Sequence, residues 1–176
     1  MTLVPDLRPY TSQDRELLLD IHDEVYAELD DPLATREAFA PFLDHWTARI
    51  GFACLIGYDS IEPVGFAYGA PLSPATTWWR NVDPQPDEAF TRETGTRTFA
   101  LSELNVRKPW RGTGTARRIH DALISDRPEE RVTLLVHVAH GKVVALYEQW
   151  GYRIIGETVP FDGAPPLYAM TRQLHT

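Results

Sequence analysis

"RKPWRGTGTARRIH", residues 107–120, is the stretch on which the fold turns. Upstream, "TFALSELNV" (98–106) is mostly apolar and reads as a strand; downstream, "GTARRIHDALIS" (114–125) reads as a helix. Between them the chain changes element through a turn built on Gly112 and Gly114. Two readings are open. One is a glycine turn that only turns. The other is a phosphate cradle. Glycine permits positive φ and removes side chains that would keep a ligand off the backbone. The amides at a helix start are unpaired and carry the positive end of the macrodipole, which suits a pyrophosphate. Arg107, Lys108, Arg111, Arg117 and Arg118 add positive charge to this stretch of an otherwise acidic chain. A Walker loop would need Gly-Lys-Ser/Thr at its end, and a Rossmann fingerprint would need a third glycine where "Thr-Ala-Arg" follows; neither fits.

Outward from this turn the chain reads as alternating elements. "LVPDLRPY" (3–10) suggests a short strand. Thr11 with Asp14 suggests a capping box, opening a helix over residues 12–29 with Leu17, Leu18, Ile21, Val25 and Leu29 at helical spacing. A second helix is expected over 35–48, burying Phe39, Phe42, Leu43 and Trp46. "GFACLIGYD" and "PVGFAYGAPL" form a hairpin joined at "SIEP". Residues 71–96, rich in Pro, Thr and acidic residues around Trp78 and Trp79, are too long for an idle loop. After the turn and its helix come the strand "RVTLLVHV", suited to burial on both faces, and the helix "GKVVALYEQWG" stopped at Gly151. The strands "YRIIGETV" and "PLYAMTRQL" close the chain. There is no internal repeat or interdomain linker, so residues 1–176 are expected to form one domain.

The totals bound the function. With 176 residues, 43% hydrophobic and 24% charged, the composition is that of an ordinary globular protein with a sizeable core. A net charge of -8 argues against a general nucleic-acid binder. Cys54 is the only cysteine, so no intramolecular disulfide can form. The start "MTLVPDLRPY" has no apolar signal core, and no apolar run reaches the ~18 residues of a membrane span. A cytoplasmic location with no membrane partner is the expectation.

"RGTGTA" (111–116), after a strand ending "ELNV", is similar to the R/Q-x-x-G-x-G/A signature of the GNAT N-acetyltransferase superfamily. "ALYEQWGYRIIGE" (145–157) resembles that family's second signature, A-x-x-L-Y-x-x-x-G-F/Y, and "RVTLLVHV" lies between the two. The order of elements follows the family over nearly the whole chain, while the specific motifs cover residues 98–156. The resemblance implies an α/β (α+β), GNAT-like fold: a mixed sheet of about six to seven strands, flanked by about four helices, with splayed central parallel strands. It implies acetyl-CoA or another acyl-CoA as cosubstrate. Its pyrophosphate would rest on the amides of Arg111, Gly112, Thr113, Gly114, Thr115 and Ala116, and its pantetheine on the freed edge at Leu104, Asn105 and Val106.

Acyl transfer from a thioester to an amine needs a neutral amine, a donor for the oxyanion and a proton for the leaving thiolate. Tyr147 matches the family tyrosine that protonates the sulfur; the alternative is a ring packed in the core. Glu103 interrupts an apolar strand and is a candidate base; the alternative is a solvated or ion-paired strand charge. His140 stands where the family often has an asparagine that contacts pantetheine, and a histidine is able to donate the same bond. His137 and His140 lack a nearby Cys or carboxylate, so no metal is expected. The acceptor pocket is expected from Tyr26, Asp30, Trp78 and Trp79; Tyr26 and Asp30 cluster with Glu28 and Asp31 near a helix end, and the alternative there is a solvated helix terminus. The tryptophans form an aromatic wall, a plug over the core, or a homodimer contact. The expected acceptor is a small-molecule amine. The alternatives are a protein N-terminus or lysine, or a CoA-binding sensor module without turnover.

Overall fold

The computed structural model describes residues 2–175. The chain forms two compact units, one from residues up to 70 with 101–126, the other from 71–100 with the residues from 127 on.

In the first unit, β1 (Asp6–Pro9) pairs antiparallel with β2 (Ala53–Asp59), and β2 with β3 (Glu62–Pro71). The hairpin turns at Ser60 and Ile61, two residues rather than the four of "SIEP", and Ser60 takes a positive φ of 59°. The Thr11 amide donates to the Asp14 carboxylate at 2.7 Å, as the capping pattern implies. That cap starts a short 3-10 turn at Ser12–Asp14, from which α1 runs over Arg15–Tyr26. The helix therefore ends three residues earlier than its periodicity suggested, and Leu29 is exposed. Asp31 draws the backbone away by capping a new turn, accepting from the Leu33 amide at 2.9 Å. α2 (Arg36–Thr47) buries Phe39, Leu43 and Trp46, at i, i+4 and i+7. Phe42, expected on that face, is 45% exposed, because it lies at the margin of the buried stripe. Arg36 reaches Glu16, Asp20 and Asp23 on α1, and Arg15 grips Asp44 with two bonds at 2.7 and 2.9 Å. These exposed pairs fix register more than they add stability.

β4 (Thr98–Val106) runs through both units. At its C-terminal end the Arg107 amide donates to Val64 O on β3 at 2.9 Å. Gly65 lets the two strands close here: a Cβ on it would lie 2.4 Å from Asn105 O and 3.1 Å from Val106 Cα. Both obstacles are backbone, so Gly65→Ala is expected to destabilise the protein by about 2 kcal/mol through overpacking, read as a lower midpoint in urea unfolding. α4 (Thr115–Ile124) packs on this unit, with Ile119 against Gly57.

In the second unit, β4 pairs in parallel with β5 (Arg131–His137) over three residues only, Thr98–Ala100 against Arg131–Thr133. Both strands run on past that point without further mutual pairing among the described residues, as splayed central strands require. β5 pairs antiparallel with β7 (Leu167–Gln173), and β7 with β6 (Arg153–Thr158). α5 (Gly141–Gln149) precedes β6 and stops at Gly151, which has the positive φ of a C′ glycine, 91°. With β4 shared, the sheet has seven strands in the order β1-β2-β3-β4-β5-β7-β6.

Residues 71–96 are folded. They contain α3 (Glu88–Thr91), which the sequence reading did not separate from loop. Asp83 and Glu157 exchange two backbone bonds, at 2.7 and 2.9 Å, so the segment covers part of the β6 edge. Its inner end is pinned by a buried ion pair. Arg131, 2% exposed, donates to Glu93 at 2.9 Å and to the Thr98 hydroxyl at 2.8 Å, with the Phe90 ring 4.2 Å away. A pair buried this deeply holds only because hydrogen bonds surround it.

Candidate functional site

The turn after β4 is braced from every side except that of its own amides. Lys108–Trp110 form one 3-10 turn, and the Trp110 indole donates to Asp59 at 3.0 Å. The Thr113 hydroxyl donates to Trp110 O at 2.6 Å and meets the Thr115 hydroxyl at 2.8 Å. Arg111 Nε donates to Val106 O at 3.1 Å. The threonines thus shape the turn from within. Gly112 and Gly114 take φ of 74° and 86°, and Gly114 is the N-cap of α4. Among the described residues, the amides of Gly112, Thr113, Gly114, Thr115 and Ala116 donate to no acceptor. A Cβ on Gly112 would meet nothing within 4 Å, and one on Gly114 only the Thr2 methyl at 3.7 Å. The backbone is therefore open to a group approaching from outside, as a pyrophosphate cradle requires. The sixth residue of the expected set differs: the Arg111 amide is used by Lys108 O at 3.2 Å.

The basic residues divide. Arg107 is held by Glu24 and Glu62 at 3.0 and 2.8 Å, and Lys108 by Glu28 at 2.8 Å. Arg117 pairs with Asp121 one helical turn on. Arg111 and Arg118 are exposed and make no ion pair among the described residues. The positive field at the turn is therefore narrower than the sequence suggests, because acids on α1, just past its end and on β3 pair with Arg107 and Lys108.

On β4, Leu104, Asn105 and Val106 follow the end of the parallel ladder. Glu103 is half-buried and makes no ion pair among the described residues. Burial pushes its carboxyl up from 4.5 to about 7, and a hydrogen bond from the Asn105 amide at 3.1 Å opposes the rise. Tyr68, on β3 of the same unit, is fully buried; its phenol is raised first by burial and then by the charge of Glu103. Sequence reasoning did not single out Tyr68, whose aromatic neighbours in "GFAYG" mark it only as core. Tyr26 ends α1, its ring 4.5 Å from that of His22, and Asp30 is exposed in the segment beyond. His22 is buried, and burial lowers it to about 4, so it is neutral at ordinary pH.

In the second unit, Tyr147 lies on α5, half-buried, with its ring edge-on to Trp150 and Tyr152 at 5.4 Å each. His140 caps that helix and stacks on His137 at 4.6 Å. Among the described residues no cluster of three or more His, Cys, Asp or Glu is placed to hold a metal. Trp78 is half-buried. Trp79 is not a wall for a substrate. It is 3% exposed and its indole donates to Glu93 at 2.9 Å, so of the three readings it is the plug, locked beside the Arg131 ion pair. No described helix is long and apolar enough to cross a membrane.

Comparison with known proteins agrees with this architecture. Residues 90–172 match the family model of the acetyltransferase (GNAT) domain. No curated protein gives a match. Among solved structures, the chain is similar to an acetyltransferase of Thermus thermophilus, with 21% identity, a TM-score of 0.70, and coverage of 98% of this chain and 99% of that one. It is also similar to a histone acetyltransferase HPA2 and related acetyltransferase of Corynebacterium glutamicum, with 18% identity, a TM-score of 0.71, and coverage of 99% and 98%. A third similar structure is that of the NatC complex bound to Gag peptide and CoA, with 16% identity, a TM-score of 0.66, and coverage of 98% and 100%. The chain has the fold of GNAT acetyltransferases, and the model of that family's domain matches within it over residues 90–172.

Proposed function

We propose that the protein is an acyl-CoA-dependent N-acyltransferase whose acceptor is the primary amine of a small molecule. The observation that carries this reading is the row of unengaged amides from Gly112 to Ala116 at the start of α4. When bound, acyl-CoA supplies an acyl group activated as a thioester. The amides hold its pyrophosphate, and Arg111 and Arg118 offset the phosphate charge. The backbone of Leu104, Asn105 and Val106 holds the pantetheine arm, with His140 as a further donor. Glu103 takes a proton from the incoming ammonium, leaving the amine able to attack. The Tyr147 hydroxyl gives a proton to the departing sulfur. Tyr26, Asp30 and Trp78 contribute to acceptor binding. The preference for a small acceptor rests on residues 71–96, a long folded segment pinned through Trp79 and Glu93 by buried bonds.

A base raised to about 7 gives a definite pH dependence. The rate at low substrate should rise with pH through about 7 and then level, since only the carboxylate accepts a proton. Stability runs the other way. The folded carboxyl keeps its proton up to about 7 while the unfolded one releases it near 4.5, so this group's contribution falls as pH rises across that window.

The test is thiol release from acetyl-CoA over a panel of small amines and short peptides, beside a thermal shift with CoA alone. Turnover with a small amine is expected. Stabilisation by CoA without turnover on any amine would point to a binding module, and turnover confined to peptides would reassign the acceptor.

A further inference from the structure

We infer that the Asn105 side chain is a positioning residue for Glu103, holding its carboxylate on the β4 face and stabilising the charged form. The inference rests on the reading of Glu103 as the base. Residues two apart on a strand share a face, so the two side chains lie together while Leu104 points the other way. Asn105 is 2% exposed, in a strand position where asparagine is disfavoured and where an unbonded amide would cost about 1–3 kcal/mol. Its Nδ2 donates to Glu103 Oε2 at 3.1 Å.

Two influences act on Glu103: burial, which favours the neutral acid, and the Asn105 bond, which favours the carboxylate. From β3, Tyr68 faces it as a neutral phenol. α4 carries Arg117 and His120, the latter bonded to Asp121 at 2.8 Å, and α1 ends at Tyr26. The same residue therefore has two tasks. Its backbone belongs to the edge proposed to carry pantetheine, and its side chain sets the base.

The experiment measures rate against pH, together with the Glu103 carboxyl titration by NMR on 13C-labelled protein. It compares the parent with Glu103→Gln, Asn105→Leu, Asn105→Ala and Asn105→Gln. Asn105→Leu keeps the volume and removes the donor. It should move both the carboxyl midpoint and the rising limb of the rate by about one pH unit to the alkaline side, the size of one lost hydrogen bond to a charged group. KM for acetyl-CoA should stay within about twofold, because backbone groups are unchanged. Asn105→Gln, which keeps an amide, should return the midpoint towards the parent value. If Asn105→Leu does not fold, the smaller Asn105→Ala, which also lacks a donor, carries the same comparison. Should Glu103→Gln abolish the limb while the Asn105 variants leave the midpoint in place, the inference is overturned and the base reading stands. Should Glu103→Gln keep both limb and rate, the base reading fails, and with it the inference, whatever the carboxyl titration shows.

Discussion

Tyr147→Phe is expected to lower kcat by about 10²-fold, the usual scale for a positioned acid. Tyr147 stands half-buried on α5, its ring held edge-on by Trp150 and Tyr152. Phenylalanine preserves those ring contacts and removes only the hydroxyl. The KM for acetyl-CoA should change little, since ground-state binding is assigned to the amides of the 112–116 turn. The loss should shrink with an acyl donor whose thiol leaves readily, because such a leaving group needs less protonation. A circular dichroism melt beside the kinetics confirms that the variant folds. Near-normal kcat in a folded variant would return Tyr147 to a packing role.

Gly114→Val is expected to weaken CoA binding by about 10²-fold or more in calorimetry. The position has φ of 86°, where a β-branched residue is strained by about 1–3 kcal/mol. Space is not the obstacle, for a Cβ there meets only the Thr2 methyl at 3.7 Å. The cost is conformational, and relief comes by rotating the peptides on either side. Those peptides carry the unengaged amides, so relief of strain re-aims the donors. A loss of this size is small against a typical stability of about 5–15 kcal/mol, so the fold should survive. Unchanged affinity would return the turn to a plain connection.

The fold was legible where a periodic signal exists. The 39, 43, 46 spacing marked the buried stripe of α2, and the glycines between "ELNV" and "ARRIH" marked the change of element. Gly151 marked the end of α5. What the sequence concealed depends on residues far apart in the chain. Arg107 and Lys108 looked available to phosphate, yet Glu24, Glu62 and Glu28 hold them from as many as 83 positions away. Trp79 and Glu93 read as parts of a polar loop, because Arg131, 38 positions past Glu93, supplies the charge that draws them inward. Glu103 was visible as a polar break in an apolar strand. Its raised pKa was not, because burial is a property of the packed chain. The Asn105 partner is legible in the i, i+2 spacing, although the family resemblance implies a role for its backbone alone.

The central claim is that acyl-CoA is held by the backbone of this turn. The most direct test is a titration of 15N-labelled protein with CoA, followed by amide chemical shifts. The account predicts that the largest, saturable changes fall on Gly112, Thr113, Gly114, Thr115 and Ala116, with a second group at Leu104, Asn105 and Val106. Saturable changes elsewhere, with these amides unmoved, would contradict it.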